Sequence, residues 1–166
     1  MLLFSLWWVF ALPRPLFKMP LATVIEDAQG NLLSARIAKD GQWRFPSVDS
    51  LPQKFQVCVR VFEDRRFWQH PGVDFRALVR AFRQNIREGR IVSGASTINM
   101  QVIRLSRKNP PRTLGQKVLE MFLALRLEVA YPKEEILQLW ADNAPFGGNV
   151  VGLEAASWRY YGKASA

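Results

Sequence analysis

Over most of the chain the apolar positions recur at helical spacing. Phe75, Leu78, Val79, Phe82 and Ile86 form one stripe between Asp74 and Glu88, and Arg76, Arg80, Arg83 and Arg87 form another, which predicts an amphipathic helix. Ser96 or Thr97 stands where a helix cap belongs. On the helix that follows, Thr97, Gln101 and Arg104 recur at i, i+4 and i+7 and share one polar edge. From Leu114 to Val129 the apolar residues nearly encircle a third helix, so most of it is expected to be buried, with Lys117 and Glu120 at i and i+3 on its polar edge. Two more helices are predicted from Pro132 to Asn143 and from Gly152 to Tyr161, with a loop at Pro145-Phe146-Gly147-Gly148-Asn149 between them.

Upstream the period shortens. Thr23-Val24-Ile25, a turn at Ala28-Gln29-Gly30-Asn31 and the run Leu32 to Ile37 predict a hairpin, with a third strand at Gln42 to Phe45. Phe55 to Val61 fits two periods, since it alternates like a strand while Phe55, Cys58, Val59 and Phe62 also keep helical spacing. If that stretch is a helix, Ser47, Asp49 or Ser50 is its expected cap.

A chain of 166 residues makes one domain with at most a small appendage. Its net charge of +9 calls for an anionic partner: nucleic acid, an acidic lipid surface or a phosphorylated substrate. Nucleic acid is the least favoured, because the arginines accompany no zinc finger, RNA-recognition signature or stacking platform. The four-arginine stripe reads first as a solvated face, and equally as a rest for acidic headgroups. Cys58 is the only cysteine, which excludes an intrachain disulfide, and its apolar neighbours predict a buried residue. Leu2 to Leu12 is apolar except for Ser5, but eleven helical residues reach only about 16 Å across a hydrocarbon layer of roughly 30 Å. Pro13-Arg14-Pro15 then stops that helix.

The chemistry concentrates between Val61 and Asp74, where Glu63 and Asp64 follow an apolar run and precede Arg65, Arg66, Phe67 and the single histidine, His70. A carboxylate between apolar residues and cations can be tuned as a general base, because the first raise its pKa and the second lower it. The plain alternative is a solvated charge cluster closing a helix. A capped helix start behind the loop Gly89 to Ala95 suits a phosphate, and its plain alternative is an ordinary helix start. Glu120, on a core helix, needs a cation or hydrogen-bond donors. Arg107-Lys108-Asn109-Pro110-Pro111-Arg112 reads as a basic, proline-broken linker of the sort that gates a site.

Glu63-Asp64-Arg65-Arg66-Phe67 with His70, Gly72 and Asp74 resembles the first signature of the peptidoglycan glycosyltransferases, the family-51 domain of bifunctional penicillin-binding proteins and monofunctional transglycosylases. Gly94 to Gln101 resembles the second signature, Lys117-Val118-Leu119-Glu120 the third, and Glu135-Ile136-Leu137 with Asn143 the fourth. Ala144 to Asn149, and Ala155-Ala156-Ser157 leading to Tyr161-Gly162-Lys163, look most like the 1C type of penicillin-binding protein. The resemblance runs from about Ala22 to the last residue.

It implies a mainly α, lysozyme-like helical domain over residues 49–166, incomplete at its carboxy terminus, behind a small β element at 19–48. It also implies a helix for the ambiguous stretch before Glu63. Residues 1–18 become a truncated signal anchor or an interfacial apolar segment. The implied reaction is polymerisation of lipid II into β-1,4 glycan strands by an inverting transfer that releases undecaprenyl diphosphate. Glu63 would be the base and Glu120 would sit near the leaving group. Arg104, Arg112 and Lys117 would hold the diphosphate, Thr97 and Gln101 would line the donor side, and Asp64, Phe67, His70, Ser96 and Asn143 complete the expected substrate-binding set.

A divalent cation, magnesium or manganese, rests on the resemblance alone. The implied partners are lipid II, the growing strand, a membrane surface and proteins of a cell-wall synthesis complex. The implied location is the periplasmic side of the bacterial cytoplasmic membrane. Two departures stand out: Ala95 replaces a glycine of the second signature, and Gln116 precedes Lys117 where the third opens with arginine. No Ser-x-x-Lys or Lys-Thr-Gly occurs, so no transpeptidase signature accompanies the set. The competing readings are a lysozyme-like muramidase with water as nucleophile, and a domain that binds lipid II or a division partner without turnover.

Overall fold

The computed structural model describes residues 12–165; the apolar segment from Leu2, except for its last residue, Leu12, lies outside them. Among the described residues are six α-helices, one 3-10 turn and five short strands, so the architecture is mainly α, as expected. None of the described helices is long and apolar enough to cross a membrane.

The described residues divide into two units, 12–17 with 59–136 and 18–58 with 137–165. The boundaries fall inside helix α1 (Gln53–Glu63) and helix α5 (Lys133–Asn143). The expected β element therefore groups with the carboxy-terminal residues.

In that second unit, strands β1 (Thr23–Glu26) and β2 (Leu32–Arg36) pair antiparallel, with Thr23 opposite Arg36. Asp27 closes their turn by accepting from the amides of Gln29 and Asn31. Strand β3 (Trp43–Arg44) does not extend this hairpin. It pairs in parallel with β5 (Val150–Val151), which also pairs antiparallel with β4 (Pro145–Gly147). The stretch expected as a loop is thus a tight hairpin, turned by Gly147 and Gly148 at φ of 113° and 54°, angles that glycine adopts at little cost. Helix α6 (Leu153–Tyr161) lays Ala155 and Ala156 against Val150, Trp43, Phe45 and Phe146. Ser47, expected as a cap for α1, instead donates to Asp142 Oδ2 at 2.7 Å and accepts from Gln138 Nε2 at 2.9 Å.

The first unit holds helices α2 (Phe75–Glu88), α3 (Ile98–Ser106) and α4 (Leu114–Ala130). Asp74 caps α2 through the Ala77 amide at 3.0 Å, Thr97 caps α3 through Met100, and Thr113 caps α4 through Gln116, each satisfying an amide the helix leaves open. Val73, Met100 and Ala124 form one buried cluster of its core, with Leu78, Met121 and Leu125 packed against it.

Two burial expectations fail, those for Cys58 and for α4, and the apolar stripe of α2 is left uncovered. Cys58 is exposed, because α1 turns it outward together with Val57, Val61 and Phe62. On α2 only Ala81 is buried, and Phe75, Val79, Phe82 and Ile86 of the predicted apolar stripe face solvent. On α4, Leu114, Val118, Phe122 and Val129 are exposed while Glu120, Leu123, Ala124 and Leu127 are buried. Periodicity identifies the residues that share a face; it does not say whether anything covers that face.

Candidate active site

Glu63 is the last residue of α1 and is exposed. The chain turns inward directly after it. Asp64, 7% exposed, has both carboxylate oxygens near His70 Nε2, at 3.0 and 2.9 Å, and its Oδ2 also accepts from the Ile98 amide at 3.1 Å. A buried carboxylate is tolerable only with such partners. The result is a staple between the segment after Glu63 and the first turn of α3.

Phe67, fully buried, is clamped from the same side: Lys133 Nζ lies 4.4 Å from its ring centroid, donates to the His70 carbonyl at 2.9 Å and pairs with Glu128 at 2.9 Å. Asn99 Nδ2 reaches the same Glu128 at 2.9 Å. Burying a phenylalanine contributes roughly 2 kcal/mol, so Phe67 anchors the turn. Thr97 is buried too, its hydroxyl donating to the Gly72 carbonyl at 2.6 Å while it caps α3. Asp64, Phe67, His70 and Thr97, expected to bind substrate, are buried, with their contacts made inside the protein. The adjacent Glu-Asp pair hides this division, because one backbone step sends Glu63 outward and Asp64 inward.

The polar edge of α3 then gathers the rest. Gln101 Nε2 donates to Glu63 Oε2 at 2.8 Å. One turn on, Arg104 Nη1 meets Glu120 Oε1 at 3.4 Å, and its Nη2 donates to the Pro110 carbonyl at 3.0 Å. Lys117 Nζ takes the other oxygen of Glu120 at 3.3 Å and donates to Ser96 Oγ at 2.7 Å. Glu120 is 2% exposed, so it survives as a buried carboxylate by having one cation on each oxygen. Lys117, more than a third exposed, has a third donor left over for a ligand.

Lys108 and Asn109 follow α3 at φ of 59° and 52°, left-handed positions unusual for lysine but readily adopted by asparagine, and turn the chain so that Pro110 reaches Arg104. Arg112 is exposed on that linker and makes no ion pair among the described residues. Asn143, at the end of α5, donates to the Leu139 carbonyl of its own helix at 2.9 Å; it belongs to the second unit. Arg107, read as linker, ends α3 and donates to Gln116 Oε1 at 2.8 Å. Its spacing of i+3 from Arg104 was the available signal.

The donor set does not fit a resident divalent ion. Both oxygens of Glu120 carry cations, and no three acidic, histidine or cysteine side chains cluster among the described residues.

The chain is 40% identical over 155 residues to penicillin-binding protein 1C of Escherichia coli, covering 93% of this chain and 20% of that protein. It is 36% identical over 144 residues to penicillin-binding protein 1A of Aquifex aeolicus, covering 87% and 20%. To the biosynthetic peptidoglycan transglycosylase of Haemophilus influenzae it is 34% identical over 145 residues, covering 87% and 58%. The chain thus spans about a fifth of the two penicillin-binding proteins and over half of the transglycosylase. A family model described as transglycosylase matches residues 29–166, which include both glutamates, the α3 edge and the α4 cations, and the chain belongs to the transglycosylase family.

Proposed function

We propose that the chain is a peptidoglycan glycosyltransferase that polymerises lipid II into β-1,4 glycan strands and releases undecaprenyl diphosphate. One observation carries this reading: a single edge of α3 holds Glu63 through Gln101 and Glu120 through Arg104. Three residues of helix separate those contacts, about 4.5 Å of rise, so a proton acceptor and a cation-flanked anion site stand side by side.

The chemistry follows from that pairing. The 4-hydroxyl oxygen of the acceptor sugar bonds to the anomeric carbon of the donor as the carbon–oxygen bond to the lipid diphosphate breaks. Glu63 takes the hydroxyl proton, and Gln101 holds the carboxylate in place for it. The electron pair departs on the diphosphate, where Lys117 and Arg104 stabilise it. Displacement from the opposite face of an α-linked donor gives the β linkage without a covalent intermediate. Glu120 positions the two cations. Hydrolysis by water would have no use for them, which disfavours the muramidase reading.

A membrane surface is the partner that suits α2. Phe75, Val79, Phe82 and Ile86 face solvent beside the exposed Arg76, Arg80, Arg83 and Arg87. Apolar side chains inserted between arginines match an anionic lipid surface, each cation adding about 1 kcal/mol. In this reading the chain works at the periplasmic face of the cytoplasmic membrane, within reach of lipid II and of cell-wall synthesis proteins.

The test is incubation of the purified chain with fluorescent lipid II in detergent and divalent metal, with products resolved on a gel. Polymer that disappears in Glu63→Gln supports transfer. Cleavage of preformed glycan without polymer supports the muramidase, and neither product leaves a binding role.

A further inference from the structure

Two arginines leave α3 toward α4, one turn apart. Arg104 meets Glu120 at 3.4 Å, and Arg107 meets Gln116 at 2.8 Å. Gln116 and Glu120 are themselves one turn apart on α4, so the two contacts are successive rungs between antiparallel helices. The rungs differ in charge. Glu120 offsets Arg104, whereas an amide oxygen orients the Arg107 guanidinium without cancelling it, and Arg107 makes no ion pair among the described residues. Lys117, beside Gln116, draws on the same Glu120 as Arg104. Two cations thus share the Glu120 carboxylate and a third stands one rung away on Gln116, which leaves a positive surplus where the proposed leaving group would sit.

We propose that Arg107 is a third diphosphate-binding cation of this site and that Gln116 is the residue that aims it. The inference rests on the site being one for a lipid diphosphate. Gln116 occupies Nη1, which leaves the remaining donors of the planar fork for phosphate oxygens. The cation absent at position 116, where the resembling signature carries arginine, is thereby delivered from the opposite helix.

A structural tie and a binding cation respond oppositely to Gln116→Glu. The new carboxylate would strengthen the tie while neutralising the charge. Farnesyl diphosphate is the probe, titrated calorimetrically into the full chain at low salt, with melting temperature measured alongside. Arg107→Gln and Gln116→Glu should each weaken binding about tenfold, the latter without lowering the melting temperature. Arg107→Lys should lose less. Wild-type affinity in a folded Gln116→Glu protein would overturn the proposal, whatever Arg107→Gln does to folding. Lipid II polymerisation separates the two readings. A wild-type chain that makes no polymer but binds farnesyl diphosphate through Arg107 sinks only the transfer reading, while polymerisation with an unchanged KM in Gln116→Glu sinks only this one.

Discussion

Gln101 and Glu63, 38 residues apart in sequence, share a 2.8 Å hydrogen bond that ties the end of α1 to the polar edge of α3. The amide has a donor to give, the carboxylate has only lone pairs, and the bond fixes where a proton would be received. Glu63→Gln removes the proton acceptor and should lower the initial polymerisation rate at least about 100-fold, the usual contribution of a positioned base. Gln101→Leu keeps the base but frees it, and a loss of about tenfold is expected. Equal rates for Gln101→Leu and wild type would show that the bond does not position Glu63.

Glu120 separates two cations that would otherwise face each other. Glu120→Ala removes a 2% exposed carboxylate and leaves Arg104 and Lys117 in mutual repulsion. Because both cations remain partly hydrated, the cost should be about 2 kcal/mol, less than for a fully buried pair. Urea unfolding measures it. Double substitution of Glu120 and Arg104 should recover part of the loss.

Gly72 lies at φ 90°, and a Cβ there would run into the Ala124 carbonyl oxygen and stand 2.9 Å from its carbon. Both the backbone angle and the collision oppose any side chain, and the carbonyl of Gly72 accepts the Thr97 hydroxyl. Gly72→Ala should cost about 3 kcal/mol or more, seen as a fall in melting temperature. An unchanged melting curve would contradict this packing.

Burial raises the pKa of Asp142 above its ordinary 3.8, against the lowering effect of hydrogen bonds from Ser47 and Gln138. A raised acid binds its proton more tightly folded than unfolded, so its contribution to stability falls as pH rises from 3.8 through the folded value. Asp142→Asn removes that dependence and keeps an acceptor. The difference in urea midpoint between variant and wild type should shift in the variant's favour from pH 4 to 7. A difference that stays flat would contradict the sign.

On α2, Phe82→Glu and Ile86→Glu place charge among the arginines on an exposed face. Binding to vesicles containing phosphatidylglycerol should fall about tenfold in a sedimentation assay while the melting temperature holds. A variant that sediments like wild type would remove α2 as the membrane-docking face.

Most helix positions were legible in the chain. Asp74 and Thr97 cap the helices that their neighbours' spacing predicted, and α4 begins at the expected Leu114. Caps and periods are local, so local sequence determines them. The stretch before Glu63 was not legible locally, since Phe55 to Val61 satisfies both strand and helix periods. Strand partners were no better: β3 pairs with Val150 and Val151, more than a hundred residues away, because two residues of strand say nothing about which edge they join.

By itself the sequence determined which groups could do chemistry: two glutamates, the polar edge of α3, the paired Lys117 and Glu120, and the excess of positive charge. Only the tertiary structure decided which of them face solvent. It sent Asp64, Phe67, His70 and Thr97 inward, left the apolar stripe of α2 exposed, and brought Arg107 to Gln116. The reason is physical: helical spacing fixes which side chains are neighbours on one element, whereas burial and charge pairing depend on what a second, distant element presents to them.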